Sequence, residues 1–375
     1  MKIVLLGRSM EIGGAERQMS ALAIGLAERG HEVRMLLFYR RGAFLEPLER
    51  AGIVCEDLGK RGRWDLPGFA WRLARRLRAL KPDVVQSFLG PPNLMAAALR
   101  PFAGRFALAW GVRASNMDLD DYDWTHRAVE AVQRRLATQA GVIITNSRAG
   151  ERQLLQDGYD GARIAVVENG IDVDAFAPGA PEAAALRRDW LAGHGGPLVI
   201  LVARIDPMKD HATFLDAAAR LRRTHPGARF VCVGDGDPVL RASLEEKAGG
   251  LGLGEAVLWT GPRSDIRAAL CAADIATLSS AYGEGFPNAL CEAMACAVPC
   301  VSTDVGDAAR ILDDPDRLVT IGDGEALAEA WRRLADLSPA DRAALGQRDR
   351  GRIVEHYAPA SLVARTERLY GALEA

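Results

Sequence analysis

The 375-residue sequence is short of several things that would classify it at once. It has no charge excess: 47 Lys and Arg stand against 49 Asp and Glu, a formal net charge of −2, so the whole chain has no bias toward nucleic acid or other polyanions. It has no apolar run of membrane-spanning length, and the opening strand-like run Met1 to Gly7 is too short for a signal peptide. A cytoplasmic protein is expected, or one that lies at the inner face of a membrane without crossing it. None of the six cysteines (Cys55, Cys232, Cys271, Cys291, Cys296, Cys300) forms a C-x-x-C pair, and no histidine falls at ligand spacing to a cysteine. These absences argue against a disulfide framework and a zinc site, and leave the cysteines as reduced core residues. The full G-x-G-x-x-G fingerprint is missing too, which argues against an NAD-dependent oxidoreductase.

What is present is a long alternation of short apolar strands and amphipathic helices. Strands are expected at Ile3–Gly7, Val33–Phe38, Asp83–Phe88, Ala107–Val112 and Val142–Asn146. A second series follows at Leu198–Ala203, Arg229–Gly234, Ala256–Thr260, Ile275–Ser279 and Pro299–Thr303. Helices are expected at Ala15–Arg29, Ala212–Arg223 and Pro359–Leu373. Such alternation implies parallel sheets with helices on both faces, and the length implies more than one core. The α/β chain is therefore expected to form two doubly wound, Rossmann-like domains facing across a cleft. The Pro/Gly-rich stretch Phe176 to Pro181 reads as the linker. The first domain would span 1–176, joined by the final helix 357–375, and the second 177–356. Cut after about residue 180, the first part is net positive and the remainder net negative, the sign expected if the first domain faces something anionic.

Four features carry chemistry. The first is Glu284-Gly285-Phe286-Pro287-Asn288-Ala289-Leu290-Cys291-Glu292. Pro287 suits a first helical turn, and a helix starting near Asn288 would aim unpaired N–H groups at a phosphate. Glu284 and Glu292 would then reach hydroxyls on either side of a pyrophosphate; the alternative is a solvated helix with two surface glutamates. The second is Arg204 to Asp210, where Arg204 and Lys209 could neutralise a diphosphate, or Arg204 could form a surface pair with an aspartate. The third, Gly234-Asp235-Gly236-Asp237, allows close backbone approach to a ligand, or is a tight strand-to-helix turn. The fourth, Gly13-Gly14-Ala15-Glu16, resembles a phosphate-binding glycine turn after the first strand.

In this order and context, the four features resemble glycosyltransferase family 4, the retaining, glycogen-synthase-like glycosyltransferase group 1 of the GT-B fold. The resemblance covers nearly the whole chain and is densest from Val202 to Gly306. It includes Gly261-Pro262-Arg263-Ser264-Asp265-Ile266, Glu292-Ala293-Met294-Ala295 and Asn169-Gly170-Ile171-Asp172. It implies transfer of a sugar from a nucleotide-diphosphate sugar of UDP or GDP type to a hydroxyl acceptor, a sugar or a lipid-linked sugar, in cell-envelope or exopolysaccharide assembly. Arg204 and Lys209 would hold the donor diphosphate, with Glu284 on the transferred sugar and Glu292 on the ribose. Backbone N–H groups from Phe286 to Leu290, with Gly285, Pro287, Asn288 and Ala289, would line sugar and phosphates. Arg263 would flank the nucleobase, Gly234 and Gly236 would border the donor, and Gly13 and Gly14 would approach the diphosphate. No metal and no other cofactor is expected, because Arg204, Lys209 and the helix end can offset the leaving charge. No residue stands out as a carboxylate nucleophile of the glycosidase kind, and front-face transfer is implied. An inactive nucleotide-sugar-binding protein or a nucleotide-sugar epimerase are the alternatives.

One departure is at Arg113, where many relatives carry a histidine. Arg113 cannot act as a base at neutral pH. It either binds an anionic acceptor or phosphate, or pairs with the acidic run Asp118, Asp120, Asp121 and Asp123, and His126 reads as a surface residue. Finally, Lys60, Arg61, Arg63, Arg72, Arg75, Arg76, Arg78 and Lys81 are interleaved with Trp64, Phe69 and Trp71. That pattern fits peripheral contact with an anionic membrane, or an ordinary outer helix with Leu73, Leu77 and Leu80 inward and arginines in water.

Overall fold

The computed structural model describes residues 1–11, 13–62, 64–112 and 132–373. The chain forms two compact units, Met1–Gly170 with Pro359–Ala375, and Ile171–Ala358.

The first unit holds seven strands: β1 (Lys2–Gly7), β2 (Glu32–Leu37), β3 (Val54–Asp57), β4 (Val84–Phe88), β5 (Ala107–Val112), β6 (Val142–Thr145) and β7 (Ile164–Val166). Their order is β3-β2-β1-β4-β5-β6-β7, with every pairing parallel. Alternate residues of β1 enter two separate cores. Ile3 and Leu5 pack with Leu22, Leu26 and Val363, and Val4 and Leu6 pack with Phe69, Leu73 and Leu77. A strand buried on both faces needs a continuous apolar run, which is why β1 reads Ile-Val-Leu-Leu.

The second unit repeats this plan with β8 (Leu198–Val202), β9 (Arg229–Val233), β10 (Val257–Gly261), β11 (Ile275–Leu278), β12 (Cys300–Thr303) and β13 (Leu318–Val319), ordered β10-β9-β8-β11-β12-β13 and again all parallel. Leu198 and Ile200 face the helix Asn288–Ala295 side, and Val199 and Leu201 face Phe214 and Trp331. Trp331 donates its indole N–H to Thr277 Oγ1 at 2.9 Å, so its polar edge is satisfied inside the core. All six cysteines are free, and five are buried. None of the described helices is long and apolar enough to cross a membrane.

The stretch Phe176 to Pro181 has linker composition, yet it is fastened to the second unit. Arg350 donates to the carbonyls of Val173 (3.1 Å) and Phe176 (3.0 Å), and Arg267 to those of Ala177 (2.7 Å) and Pro178 (3.3 Å). The unit boundary accordingly falls after Gly170 and not after residue 176. In the first unit, Gln18 grips the backbone of Gly170 through both amide atoms, each at 2.8 Å.

Candidate functional site

In the second sheet the chain steps outward from β8 to β9 and β10, then returns to the other side of β8 with β11. The order reverses between β8 and β11. Ligands of open α/β sheets bind at such a reversal, beyond the carboxyl ends of the strands. The loop after β8 carries Arg204 and Lys209, and the loop after β11 carries Glu284 and opens the helix Asn288–Ala295. These residues were grouped above by sequence alone, and the topology brings their loops side by side.

Lys209 Nζ forms an ion pair with Glu284 Oε1, and the two side chains are only 17% and 10% exposed. The same Oε1 accepts a hydrogen bond from Ser280 Oγ at 2.8 Å. The two loops are further tied by Ser279 Oγ donating to the Lys209 carbonyl at 2.8 Å, and by Ala281 N donating to the Met208 carbonyl at 2.8 Å. From the next strand, Thr303 Oγ1 donates to the Ser280 carbonyl at 2.7 Å. Asp307 N donates to the Gly285 carbonyl at 2.9 Å. Gly306 adopts φ +60°, and a Cβ there would come within 2.6 Å of the Gly285 carbonyl oxygen. The Glu284–Gly285 backbone is thus supported from two sides.

Neither glutamate is on the surface: Glu284 and Glu292 are both buried. Pro287 does not occupy the first helical turn. At φ −75° and ψ 93° it is the extended residue just before the helix, which starts at Asn288. Its fixed φ suits either place, and the absence of an N–H costs nothing at a helix entry. The amides of the first turn lack intrahelical acceptors by construction, so they form a site suited to an anion.

Other expected residues are placed less simply. Arg204 is 71% exposed and lies 3.7 Å from Asp206, a loose surface pair as it stands. Arg263 forks onto Asp265 at 2.8 and 2.5 Å, and its guanidinium lies 5.6 Å from the Trp190 ring centre. The Arg263 guanidinium in turn holds the Asp265 carboxyl below the usual carboxylate range. Gly234, at φ +140°, and Gly236 each abut the loop after β8, and a Cβ on either would sit 2.0 Å from a carbonyl oxygen, of Ala203 and Ile205 respectively. Their close approach is therefore to the loop that carries Arg204 and Lys209.

His211 was not foreseen. It opens the helix His211–Thr224, is buried, and stacks on Trp259 with ring centres 6.1 Å apart. Its Nδ1 has no hydrogen-bond partner among the described residues. Burial pushes its pKa down to about 4, so the ring is neutral.

The first sheet reverses between β1 and β4. Gly13 is the extended residue before the helix Gly14–Glu28, and a side chain there would strike the Glu16 carboxylate. After β4, Leu89 takes φ +69°, a conformation that a branched side chain rarely adopts. Arg113 and the acidic run after it, with His126, lie outside the described residues, as does Arg63. Among the described residues no group of three or more His, Cys, Asp or Glu could hold a metal ion.

Comparison with known proteins follows the same lines. Residues 12–175 match the family model described as Glycosyltransferase Family 4, and residues 196–336 match Glycosyl transferases group 1. The chain belongs to this family of glycosyltransferases. A D-inositol 3-phosphate glycosyltransferase of Nocardia farcinica is 32% identical over 229 residues, covering 59% of this chain and 48% of that protein. The putative glycosyltransferase EpsF of Bacillus subtilis is 33% identical over 187 residues, covering 49% and 47%. The Vi polysaccharide biosynthesis protein VipC/TviE of Salmonella typhi is 41% identical over 102 residues, covering 27% and 17%. The chain thus spans about half the length of the first two relatives, and less of the third. Among solved structures, Anabaena Alr3699/HepE in complex with UDP superposes with a TM-score of 0.85 at 22% identity, covering 100% of both chains. WaaG, a glycosyltransferase involved in lipopolysaccharide biosynthesis, gives 0.72 at 17% identity, covering 99% and 100%. At these identities the likeness establishes the fold, two Rossmann-like parallel-sheet domains of GT-B type.

Proposed function

We propose that this glycosyltransferase moves a sugar from a nucleoside-diphosphate donor to a hydroxyl of a sugar or lipid-linked sugar acceptor, with retention at the anomeric carbon and without a metal. The observation that carries this reading is the buried Lys209–Glu284 pair set beside the start of the helix Asn288–Ala295. Lys209 has three donors, so it can keep Glu284 and still meet a phosphate oxygen. Glu284, fixed by Ser280, would meet hydroxyls of the transferred sugar. The helix start and Lys209 offset the charge that grows on the diphosphate as the sugar–oxygen bond breaks. The acceptor oxygen bonds to the same face of the anomeric carbon, and its proton passes to the departing phosphate oxygen. Glu292 would bind the donor ribose, and Arg204 would add a second cation.

A relative linked by name to polysaccharide biosynthesis, and a structural neighbour crystallised with UDP, make UDP-sugars and polysaccharide acceptors the first to try. The test is thermal unfolding with UDP, GDP, ADP and NAD in turn. A ligand at about 100 times its Kd adds roughly 2.7 kcal/mol. Stabilisation by one nucleoside diphosphate, in EDTA, supports the proposal and names the base. Stabilisation by NAD alone, or by none of the four, refutes it. The anomeric configuration of the product, read by NMR, tests retention.

A further inference from the structure

The helix Leu66–Leu80 buries Phe69, Leu73, Leu77 and Leu80 against the first sheet. Phe69 was grouped above with the surface aromatics, but it is fully buried and packs edge-on against Phe38 at 4.5 Å. An outer helix of this kind should present only polar residues on its far side. It does not: Trp71 is 61% exposed, and Trp64, just before the helix, is 86% exposed. The neighbouring helix Gly90–Ala103 adds Phe102, also 61% exposed. Trp71 and Phe102 line one shallow groove of about 340 Å³ together with Arg75, Arg78 and Leu99. Arg75 lies over the Trp71 ring at 5.2 Å.

The charges around these aromatics are predominantly positive. Two of the nearby carboxylates are engaged, Asp65 by Arg72 and Glu56 by Arg76 and Arg34, while Asp57, which lines an adjoining groove with Trp71 and Arg75, accepts from the backbone N–H of Gly59. Arg75 and Arg78, both in the groove, have no ion-pair partner among the described residues. Large exposed aromatics within unneutralised arginines make a surface complementary to one that is apolar inside and anionic outside.

We infer that this face of the first unit, Trp71 and Phe102 with Arg75 and Arg78, docks the protein on an anionic lipid bilayer. The aromatics enter the headgroup boundary and the arginines remain among the phosphates. The inference stands apart from the donor site, which is built on the other unit.

The experiment is co-sedimentation of the full chain with vesicles of phosphatidylglycerol and phosphatidylcholine in equal parts, and with phosphatidylcholine alone. Binding is expected to the mixed vesicles at low salt, to weaken as salt rises, and to be absent on phosphatidylcholine. Each basic residue near a charged surface contributes about fivefold, so Arg75→Glu with Arg78→Glu should weaken binding by at least ~25-fold. Trp71→Ser and Phe102→Ser should weaken it at every salt concentration. The variants are expected to unfold at the wild-type temperature and to keep nucleotide-induced stabilisation. Absence of wild-type sedimentation, equal binding to both vesicle types, or undiminished binding of the double arginine variant overturns the inference. So does a face that instead pairs two copies of the chain in solution and is covered when vesicles are added.

Discussion

Replacing Lys209 by methionine keeps the length of the side chain and removes its charge, leaving Glu284 as a mostly buried carboxylate. Breaking a fully buried pair costs about 3–5 kcal/mol, and an exposed pair is worth about 0–1 kcal/mol. This pair lies between the two limits, at 17% and 10% exposure, and Ser280 still donates to Glu284 in the variant. A cost of about 2 kcal/mol is therefore expected for Lys209→Met. Glu284→Gln should cost less, about 1 kcal/mol, because the more exposed Lys209 can turn toward water. The double variant removes both charges and should be less destabilised than the sum of the two, with a coupling of about 1–2 kcal/mol. Urea unfolding of the four proteins measures it. Transfer should fall by about 10²–10³ in either single variant, the scale seen when one fixed donor to a developing charge is removed. A coupling below about 0.5 kcal/mol would refute the buried pair. A strong coupling with unchanged transfer would make the pair purely structural.

Two further outcomes follow from the same unit. Gly306→Ala places a methyl group 2.6 Å from the Gly285 carbonyl oxygen at a positive φ; thermal unfolding should show a loss of about 2–4 kcal/mol, with reduced stabilisation by nucleoside diphosphate. His211, with its pKa lowered to about 4 by burial, takes up a proton in the unfolded chain near pH 6.5 but not in the folded one. Its contribution to stability is intact above pH 6.5 and is lost as pH falls toward 4, by up to about 3 kcal/mol, and His211→Leu should flatten that part of the pH–stability curve.

The central strands of both sheets were legible because strands buried on both faces have to be continuous apolar runs. The three strands that were not read, Val54–Asp57, Ile164–Val166 and Leu318–Val319, are all at sheet edges. An edge strand can be short and partly polar, as Val54-Cys55-Glu56-Asp57 is, with only Cys55 buried. The linker was misplaced for a related reason. Composition reports that Pro178 and Gly179 break regular structure, but not that Arg267 and Arg350 collect the carbonyls around them. At the site, the loops were legible from their residues, and the partners that fix them were not. Ser279 and Ser280 stood in plain view at the end of a strand. Their use depends on β11 lying next to β8 and β12, a fact of topology that no local pattern encodes.

The two cations proposed for the diphosphate are not in equivalent states. Lys209 is held by Glu284 and by loops that are themselves cross-linked, so its ammonium is in place before any donor arrives. A fixed charge stabilises a developing one without a reorganisation cost. Arg204, 71% exposed and 3.7 Å from Asp206, has to leave water and be ordered on binding, which offsets much of what its fork would contribute. The glycine pair Gly234 and Gly236 has a structural use of its own. By letting the loop after β9 lie flat against Ala203 and Ile205, these residues set the height of the loop on which both cations stand. The placement of Lys209 is thus over-determined, by β9 from one side and by β11 and β12 from the other, whereas Arg204 projects from the same loop with its guanidinium in solvent. On the function proposed above, this geometry would give the larger share of transition-state stabilisation to Lys209, and Arg204 would act in drawing the anionic donor to the site.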